Sequence, residues 1–286
     1  MEGGRAPSSA PRLRCGRFTL PLTRPLIMGV VNITPDSFSD GGRFLDPAAA
    51  IEHANRLAEE GADILDLGAE STRPGAAPVP SEAEAERVLP VLDAVRGLPL
   101  PISVDTRKPE MMRVALTHGA SMINDIDALQ APGALDAVRG SDCGLCLMHK
   151  QGDPQTMQVA PAYTDVVREV KEFLAQRVAA CAAAGIDRER LAVDPGFGFG
   201  KSAEHNLELL RRLGELVQLG VPVLAGLSRK STLGKITGRA PGDRLAASVA
   251  ASLLAVQRGA AIVRVHDVAA TRDALLVLRA LQESER

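Results

Sequence analysis

The sequence predicts an α/β fold, a single (β/α)8 TIM barrel preceded by a short N-terminal hairpin and a disordered N-terminal tail. Short apolar segments alternate eight times with segments of helical periodicity. Strands that alternate with helices form parallel sheets, and eight such units in about 250 residues are what this barrel requires. Polar residues follow several apolar segments, at the strand ends where such barrels carry their sites. An open, doubly wound sheet is the alternative, although its G-x-G-x-x-G fingerprint after the first strand is missing.

The N-terminal region divides into a tail and a hairpin. The first residues are rich in Gly, Pro, Ser and Arg, a composition typical of disorder. Phe18, Thr19 and Leu20 alternate in polarity, which favours one arm of a hairpin. We expect a disordered tail over residues 1–14 and one barrel domain over residues 15–286.

The strand and helix pairs follow in order along the chain. Asp46-Pro47 predicts an N-cap with Pro at the first helical position, and residues 81–84 predict a capping box. Apolar residues recur at helical spacing from Val166 to Cys181, which indicates a helix packed on the barrel. The predicted pairs are 26–33 with 46–61, 63–69 with 81–96, 102–106 with 109–119, 122–126 with 132–139, 144–149 with 163–185, 191–194 with 203–219, 221–227 with 241–258, and 261–266 with 269–282.

The composition excludes several classes of function. The net charge is −2 and aromatic residues make up 2% of the chain, so we expect no nucleic-acid partner. The N-terminus lacks the apolar segment of a signal peptide, and no apolar run approaches the ~18 residues that span a membrane. Cys143 and Cys146 form a C-x-x-C without a second pair to complete a zinc site. These observations predict a cytoplasmic protein with reduced thiols and no membrane partner.

Three predicted loops are longer than ordinary barrel connections. They cover residues 34–45, 70–80 and 150–162. Loops of this length on the catalytic face of a barrel are usually lids or ligand clamps.

The predicted strands bring two kinds of polar side chain to that face. Carboxylates and amides follow the early strands, whereas cations follow the last two. One end of the ligand should therefore offer hydrogen-bond donors, and the other end should be anionic. The residues are Asn32, Asp66, Glu70, Asp105, Asn124, Asp125, Met148, His149, Asp194, 228–231 and 264–267.

Seven motifs in collinear order resemble those of the dihydropteroate synthase family, over roughly residues 26–282. That family is a pterin-binding barrel that condenses 6-hydroxymethyl-7,8-dihydropterin pyrophosphate with p-aminobenzoate and releases pyrophosphate, and sulfonamides act on it as p-aminobenzoate mimics. The resemblance implies the same activity here, in folate biosynthesis, and a homodimer. The motifs are Met28-Gly29-Val30-Val31-Asn32-Ile33-Thr34-Pro35-Asp36-Ser37-Phe38-Ser39-Asp40-Gly41-Gly42, Glu70-Ser71-Thr72-Arg73-Pro74-Gly75, Ser103-Val104-Asp105-Thr106, Ile123-Asn124-Asp125-Ile126, Asp194-Pro195-Gly196-Phe197-Gly198-Phe199-Gly200-Lys201, Ser228-Arg229-Lys230-Ser231 and Arg264-Val265-His266-Asp267.

The pterin ring has a guanidine-like edge with two neighbouring N–H donors. A carboxylate accepts from both donors at once, and we assign this role to Asp194. Asp105 and Asn124 would complete the hydrogen bonds of the ring. A helix cap or an internal ion pair is the alternative for each of these three side chains.

Three further residues are assigned to the same substrate. Lys230 would meet the pterin carbonyl or a ring nitrogen, and also the second substrate. Met148 and Phe199 would pack against the ring, with ordinary core packing as the alternative. His149 is either a structural residue or a support for the site.

The diphosphate requires cations and N–H donors. Arg264 and His266 are two residues apart on the last strand and so face one side, and Thr72 and Arg73 would approach from the second loop. The alternatives are an ion pair of Arg264 with Asp267 or with a carboxylate on the same face, and a core role for His266.

The resemblance also implies a magnesium ion and two closing loops. In the family, Mg²⁺ joins the diphosphate to an asparagine that matches Asn32, and one amide ligand suits an ion that keeps several waters. Arg229 or Ser231 would meet the carboxylate of p-aminobenzoate. The loop residues expected to close over it are Asp36, Phe38 and Pro74.

The resulting mechanism is SN1-like, with pyrophosphate leaving before the amine attacks. Its catalytic residues would be Asp105, Lys230, Arg264 and His266. Two alternatives stay open, a pterin-binding methyltransferase domain and a non-catalytic paralogue that binds pterin. Neither would need the complete set of loop and cationic motifs.

Overall fold

The computed structural model describes residues 11–34, 47–70, 79–153, 156–157 and 160–284. Two short strands form an antiparallel hairpin, and eight later strands form one parallel sheet. Five of the eight are buried at every position, as expected for strands that are covered on both faces. The strands are β1 (Arg12–Cys15), β2 (Phe18–Pro21), β3 (Leu26–Asn32), β4 (Ile64–Gly68), β5 (Ile102–Asp105), β6 (Met122–Asp125), β7 (Gly144–Met148), β8 (Leu191–Asp194), β9 (Leu224–Ala225) and β10 (Ile262–Val265).

The parallel sheet closes on itself. Its strand order is β8-β7-β6-β5-β4-β3-β10-β9, and a bridge between Val193 and Val223 joins the two edge strands. The Val193 N–H donates to the Pro222 carbonyl at 2.9 Å. The predicted TIM barrel and hairpin are therefore confirmed, and the open-sheet alternative is wrong.

Helices cover the outside of the barrel. The helix predicted over 203–219 is interrupted and forms two, and a short helix begins at Ser231, where a helix N-terminus was expected. Within the described part of the chain, no helix is long and apolar enough to cross a membrane. The helices are α1 (Pro47–Glu59), α2 (Ser81–Val95), α3 (Pro109–Thr117), α4 (Ala134–Val138), α5 (Val166–Ala183), α6 (Ala203–Arg211), α7 (Gly214–Val217), α8 (Ser231–Thr237), α9 (Leu245–Gln257) and α10 (Val268–Ser284).

The capping box predicted at the start of α2 is wrong. The N-cap residue is Pro80, which makes no side-chain cap. Glu84 does not reach back to the helix end, because its buried carboxylate accepts from Lys108 Nζ at 2.6 Å. A capping box does form at α6, between Ser202 and His205. Asp46, the other predicted cap, lies outside the described residues.

The barrel interior is apolar at its lower end and polar at its upper end. Alternate residues of each strand point inward, and the first inward residues form one buried cluster that includes Met28, Ile64 and Ile262. Leu13 and Cys15 of the hairpin join this cluster and cover the lower end. Residues 12–14 were predicted as tail, but they belong to β1 because Leu13 is needed for this packing.

Candidate functional site

The upper ends of four neighbouring strands place their polar residues in one row. Asn32 of β3 pairs in register with Gly68 of β4, Gly68 with Asp105 of β5, and Asp105 with Asn124 of β6. Parallel strands carry their carboxyl ends to the same edge, so three residues that are far apart in sequence become neighbours. The structure thus brings together Asn32, Asp105 and Asn124.

Asp66, which lies two residues before Gly68 on β4, connects this row to the last strand. Asp66, which is fully buried, accepts from Arg264 Nε at 2.6 Å and from Asn124 Nδ2 at 3.1 Å. Arg264 Nη2 donates in turn to Asp105 Oδ2 at 3.1 Å. Arg264 therefore pairs with carboxylates inside the barrel, which is the alternative given for it above, and Asp267 pairs elsewhere.

Asp66 was expected at a strand end, but no role was assigned to it. The available signal was a carboxylate in the middle of the apolar strand Ile64–Gly68. A buried charge costs free energy unless it is paired, so its position alone indicated a cationic partner. The partner, Arg264, is 198 residues away in sequence, and no local pattern could have identified it.

Several polar atoms of this interior have unused hydrogen-bonding capacity. Among the described residues, four buried side-chain oxygens have no hydrogen-bond partner, and three of them lie on β4, β5 and β6. They are Asp66 Oδ1, Ser103 Oγ and Asn124 Oδ1. Buried polar atoms are almost always paired in folded proteins, so this group is suited to bind donors of a ligand.

The buried charged groups of the interior shift one another's pKa values. Burial and the neighbouring Asp66 raise the pKa of Asp105, whereas Arg264 lowers it. Burial alone would lower the pKa of Arg264, but Asp66 and Asp105 outweigh burial and raise it. Arg264 is therefore a permanent cation whose charge favours ionised Asp105, against the larger effects of burial and Asp66.

Asp194, Lys230 and Arg264 converge on one point of the barrel wall. A Cβ added to Gly226 would lie 3.9 Å from Asp194 Oδ2, 4.0 Å from Lys230 Nζ and 3.8 Å from Arg264 Cβ. Burial raises the pKa of Asp194, opposed first by Lys230, and burial lowers the pKa of Lys230 to about 8, opposed by Asp194. The absence of a side chain at Gly226 leaves room for a flat ligand beside these groups.

A glycine-rich turn carries the chain away from Asp194. Gly196, Gly198 and Gly200 all have positive φ, between 64° and 80°, which residues with a Cβ rarely adopt. The Gly196 N–H donates to Asp194 Oδ1 at 2.7 Å, so the turn fixes the carboxylate. The Phe199 ring lies 4.6 Å from Lys230 Nζ.

Met148 lies at the end of β7 and pairs in register with Asp194. Its side chain is buried, and its Cγ would lie 3.3 Å from a Cβ at Gly196. Met148 therefore packs against the turn that starts at Asp194. This position is compatible with both roles considered above, ring contact and core packing.

The segment before α8 presents the other cations. Arg229 has a φ of 59°, and its guanidinium donates to Asp267 at 2.6 Å. Arg244 Nη1 donates to the carbonyls of Arg229 and Lys230 at 2.9 and 3.3 Å. These bonds hold the strained backbone and direct Lys230 toward Asp194. Ser231, the first residue of α8, is exposed.

His266 follows β10 and is held by Ser228. The Ser228 Oγ accepts from the His266 backbone N–H at 3.3 Å and lies 2.9 Å from the ring atom Nδ1. Burial first, and then the charges of Arg264 and Arg229, lower the pKa of His266 to about 3. The ring is thus neutral near pH 7, and with Ser228 donating to Nδ1 its remaining N–H is Nε2.

Two surface cavities lie away from these groups. One of about 490 Å³ is lined by residues of α4 and α5, including Arg177, and one of about 320 Å³ lies near the lower end, beside Arg24 and Arg272. None of the four unpaired oxygens belongs to a residue that lines either cavity. The converging polar groups, rather than cavity size, identify the upper barrel interior as the candidate site.

Comparison with known proteins agrees with this geometry. The pterin binding enzyme family matches residues 28–266. The dihydropteroate synthase of Neisseria meningitidis serogroup B is 54% identical over 275 residues, which are 94% of this chain and 96% of that protein. The chain belongs to the dihydropteroate synthase family. The family resemblance predicted from the seven motifs is therefore confirmed.

Solved structures of dihydropteroate synthases share the fold over almost the whole chain. The Xanthomonas albilineans enzyme with 4-aminobenzoic acid has a TM-score of 0.91 and 58% identity, over 96% of this chain and 99% of that one. The Burkholderia cenocepacia enzyme complexed with 7,8-dihydropteroate has a TM-score of 0.88 and 50% identity, over 97% and 98% of the two chains.

Part of the site expected for a dihydropteroate synthase lies outside the described residues. This part comprises the two loops predicted to close over the substrates. The residues concerned are Asp36, Phe38, Thr72, Arg73 and Pro74. Among the described residues, Glu70 at the start of the second loop is held by Arg107 and Lys108.

Asn32 can be compared with the magnesium ion implied for the family. The described part of the chain has no group of three His, Cys, Asp or Glu side chains that could hold a metal. Asn32 offers one amide oxygen at the half-buried end of β3. Mg²⁺ commonly uses one or two protein ligands together with waters and substrate phosphates. Asn32 therefore fits an ion that binds together with a diphosphate.

Proposed function

We propose that the protein condenses 6-hydroxymethyl-7,8-dihydropterin pyrophosphate with p-aminobenzoate to give 7,8-dihydropteroate and pyrophosphate. Family membership supports the reaction class. The observation that carries the proposal is the group of unpaired oxygens inside the barrel, Asp66 Oδ1, Ser103 Oγ and Asn124 Oδ1. A pterin is flat and has several N–H donors, so it fits acceptors that lie on one wall.

The ring would lie between the early strands and Asp194. Asp194 Oδ1 already accepts from the Gly196 N–H, and Oδ2 approaches the open space beside Gly226. An ionised carboxylate there would accept from the amine and ring N–H of the pterin, a charge-assisted contact. Lys230, near that space, would donate to the pterin carbonyl. Met148 and Phe199 would contact the ring faces.

The diphosphate would lie at the mouth of the barrel, above Arg264. The neutral ring of His266 can donate from Nε2, and Thr72 and Arg73 would approach from the second loop. Asn32 would contribute one oxygen to Mg²⁺, which when bound neutralises charge on the leaving pyrophosphate. The carboxylate of p-aminobenzoate would meet Ser231, because Arg229 is already paired with Asp267.

The chemistry breaks one C–O bond and forms one C–N bond. The pterin methylene loses pyrophosphate first, and the positive charge that develops on the pterin is stabilised by Asp105, whose carboxylate is fixed by Arg264. The amine of p-aminobenzoate then attacks the methylene, and the proton that the new ammonium loses passes to the solvent. A neutral aromatic amine needs little help from a base, so catalysis rests on positioning and electrostatics.

Three further properties belong to the same proposal. We propose that sulfonamides compete for the p-aminobenzoate position, that the protein acts in the cytoplasm, and that it forms a homodimer. Exposed apolar side chains on α9 and α10, among them Leu254, Leu276 and Val277, support the last point.

The test is a turnover assay with both substrates, Mg²⁺ and purified protein. 7,8-Dihydropteroate should form only when p-aminobenzoate is present, and an equal amount of pyrophosphate should then be released. Pterin binding without product would favour the non-catalytic paralogue. Methyl transfer from a methylated pterin in place of condensation would favour the methyltransferase.

A further inference from the structure

We propose that Lys201 is a positioning residue, whose buried ammonium group holds the glycine-rich turn in shape and so presents Asp194 to the pterin as a carboxylate. The identity of the ligand rests on the proposed function above. The geometry of the turn does not depend on it. The mechanism described so far does not use Lys201, although it ends the same motif as Asp194.

The ammonium group of Lys201 is surrounded by acceptors. Nζ lies 3.0 Å from the Gly196 carbonyl, 3.0 Å from the Phe199 carbonyl and 3.0 Å from His149 Nδ1. The His149 carbonyl is a fourth acceptor at 3.4 Å. The residue is 2% exposed, so water cannot replace these contacts.

The glycines explain why these carbonyls converge. The left-handed conformation of Gly196 and Gly200 turns the chain tightly, so that the Gly196 and Phe199 carbonyls point to one centre. A Cβ on Gly196 would overlap the His149 carbonyl oxygen, and a Cβ on Gly200 would overlap that of Gln151. Carbonyl oxygens that face one another repel, and a cation placed among them removes this repulsion.

The four acceptors around Lys201 Nζ favour the protonated form of its amine. A protonated amine has three donors for the four acceptors, whereas a neutral amine would direct its lone pair at one of them. His149 must then accept through Nδ1 and be neutral, and burial followed by the charge of Lys201 lowers the pKa of His149 to about 3. Burial, and then the charge of Lys230, lower the pKa of Lys201 well below its ordinary value, and Asp194 opposes this shift. The four acceptors around Nζ are the reason to assign the protonated form.

Aromatic rings close the site from outside. His149 packs edge-on against Phe173, with ring centroids 5.0 Å apart. The Tyr163 hydroxyl donates to the Gly200 carbonyl at 2.9 Å. The turn is thus held by a hydroxyl from one side and by the ammonium group of Lys201 from within.

The consequence concerns the charge of Asp194. The charged groups that act on this carboxylate are Lys230, Arg264 and Lys201, each of which opposes the rise in its pKa caused by burial. The thiol of Cys146 also lies near Asp194. Lys230 contacts the ligand side of the turn and Lys201 the buried side. Loss of Lys201 should therefore loosen the turn and also raise the pKa of Asp194.

The experiment compares the wild type with Lys201→Met, Lys201→Arg and a surface control, Lys171→Met, whose amine donates to the exposed Gln218 side chain. The dissociation constant of 6-hydroxymethyl-7,8-dihydropterin pyrophosphate is measured by calorimetry across the pH range, with KM and kcat for both substrates. Lys201→Met should weaken pterin binding about 10- to 100-fold near neutral pH, while KM for p-aminobenzoate changes little. The acid limb of pterin binding should move to higher pH, and Lys201→Arg should restore part of both effects.

A structural role without effect on Asp194 would give a different result. An unchanged pH dependence, or equal losses for the two substrates, would overturn the proposal. His149→Leu removes one acceptor and should give a weaker change of the same sign, which keeps the test decisive if Lys201→Met does not fold.

Hydrogen exchange separates this proposal from the proposed function. The amides of residues 196–201 should exchange faster in Lys201→Met than in Lys171→Met. If the wild type binds no pterin, the proposed function fails, and faster exchange would still support the ordering role of Lys201. Unchanged exchange in Lys201→Met would reject that role.

Discussion

Arg264 and Asp66 form a buried ion pair across the barrel interior, with Nε donating to Oδ2 at 2.6 Å. The pair connects the last strand of the barrel to the second. Asn124 donates to Asp66, and Arg264 donates to Asp105, so the pair links the acceptors proposed for the pterin to the cation proposed to lie beneath the diphosphate. A substitution at one residue of this network should therefore alter the charge and hydrogen bonding of the others.

Replacing Asp66 with asparagine should move the acid limb of kcat/KM to lower pH. Asp66 raises the pKa of Asp105, so a neutral residue of the same size lets Asp105 ionise more readily. The rate near neutral pH should fall roughly 10-fold or more, because Arg264 loses a charged partner. A pH–rate profile of Asp66→Asn measures both effects. An acid limb at the wild-type position would contradict the assignment.

Replacing Arg264 with alanine should move the same limb in the opposite direction. Arg264 lowers the pKa of Asp105, so its loss leaves two buried carboxylates without their cation and favours the protonated acid. The activity near neutral pH should fall about 100-fold or more and recover partly as the pH rises. The profile of Arg264→Ala, measured beside that of Asp66→Asn, checks the sign. Shifts in one direction for both variants would be inconsistent with this network.

Asp194→Asn should abolish pterin binding while the fold is kept. An amide retains the shape of the side chain but presents a donor to the donors of the pterin, and we expect a loss of roughly 100-fold or more in affinity. Calorimetric titration with the pterin substrate measures the loss. Asp93→Asn on the exposed face of α2 is the matched control. Near-normal turnover by Asp194→Asn would remove the central assignment.

Gly226→Ala should block the pterin without destabilising the barrel. The added methyl group would meet Asp194 Oδ2, Lys230 Nζ and Arg264 Cβ only at ordinary contact distances of 3.8 to 4.0 Å, but it would occupy the space beside them. We expect a melting temperature close to that of the wild type and a pterin KM raised about 10-fold. Gly97→Ala, where the methyl group meets nothing within 4 Å, is the control. Unchanged KM in Gly226→Ala would place the ring elsewhere.

His149→Gln should reduce the loss of stability in acid. The folded-state pKa of His149 is lowered to about 3, below its ordinary value of about 6.5. Between these values the unfolded chain binds more protons, so the contribution of His149 is complete above about pH 6.5 and is lost as the pH falls. The free energy of unfolding, measured by urea denaturation from acid to neutral pH, should depend less on pH in His149→Gln than in the wild type. An equal dependence in both proteins would mean that His149 is not held neutral.

The fold could be predicted from local patterns because each barrel unit carries its own signals. The apolar strands, the helical periodicity and the terminal glycines are all local, and they sufficed for the order and type of the elements. The incorrect local predictions arose where a side chain had a stronger partner elsewhere in the fold. The α2 capping box did not form because Lys108 offers Glu84 a stronger partner than the helix end.

The sequence indicated which candidate residues lie at the upper end of the barrel, but not how they pair with one another. Strand ends and motif residues indicated Asp105, Asn124 and Asp194, since parallel strands must carry them to one edge. The sequence could not show that Arg264 is bound to Asp66, because that contact depends on the closure of the barrel. It also could not show that Arg229 is engaged by Asp267, since the left-handed backbone at Arg229 is held by residues of later elements.

The N-terminal hairpin covers the lower end of the barrel interior. Leu13 and Cys15 close the lower end of the described part of the barrel, so a ligand of this interior would enter and leave at the upper end. If both substrates bind in this interior as proposed, the substrate that lies deeper would have to bind before the one nearer the upper end, and the product would leave through the same end. The N-terminal hairpin would then influence the order of binding without contacting a reacting atom.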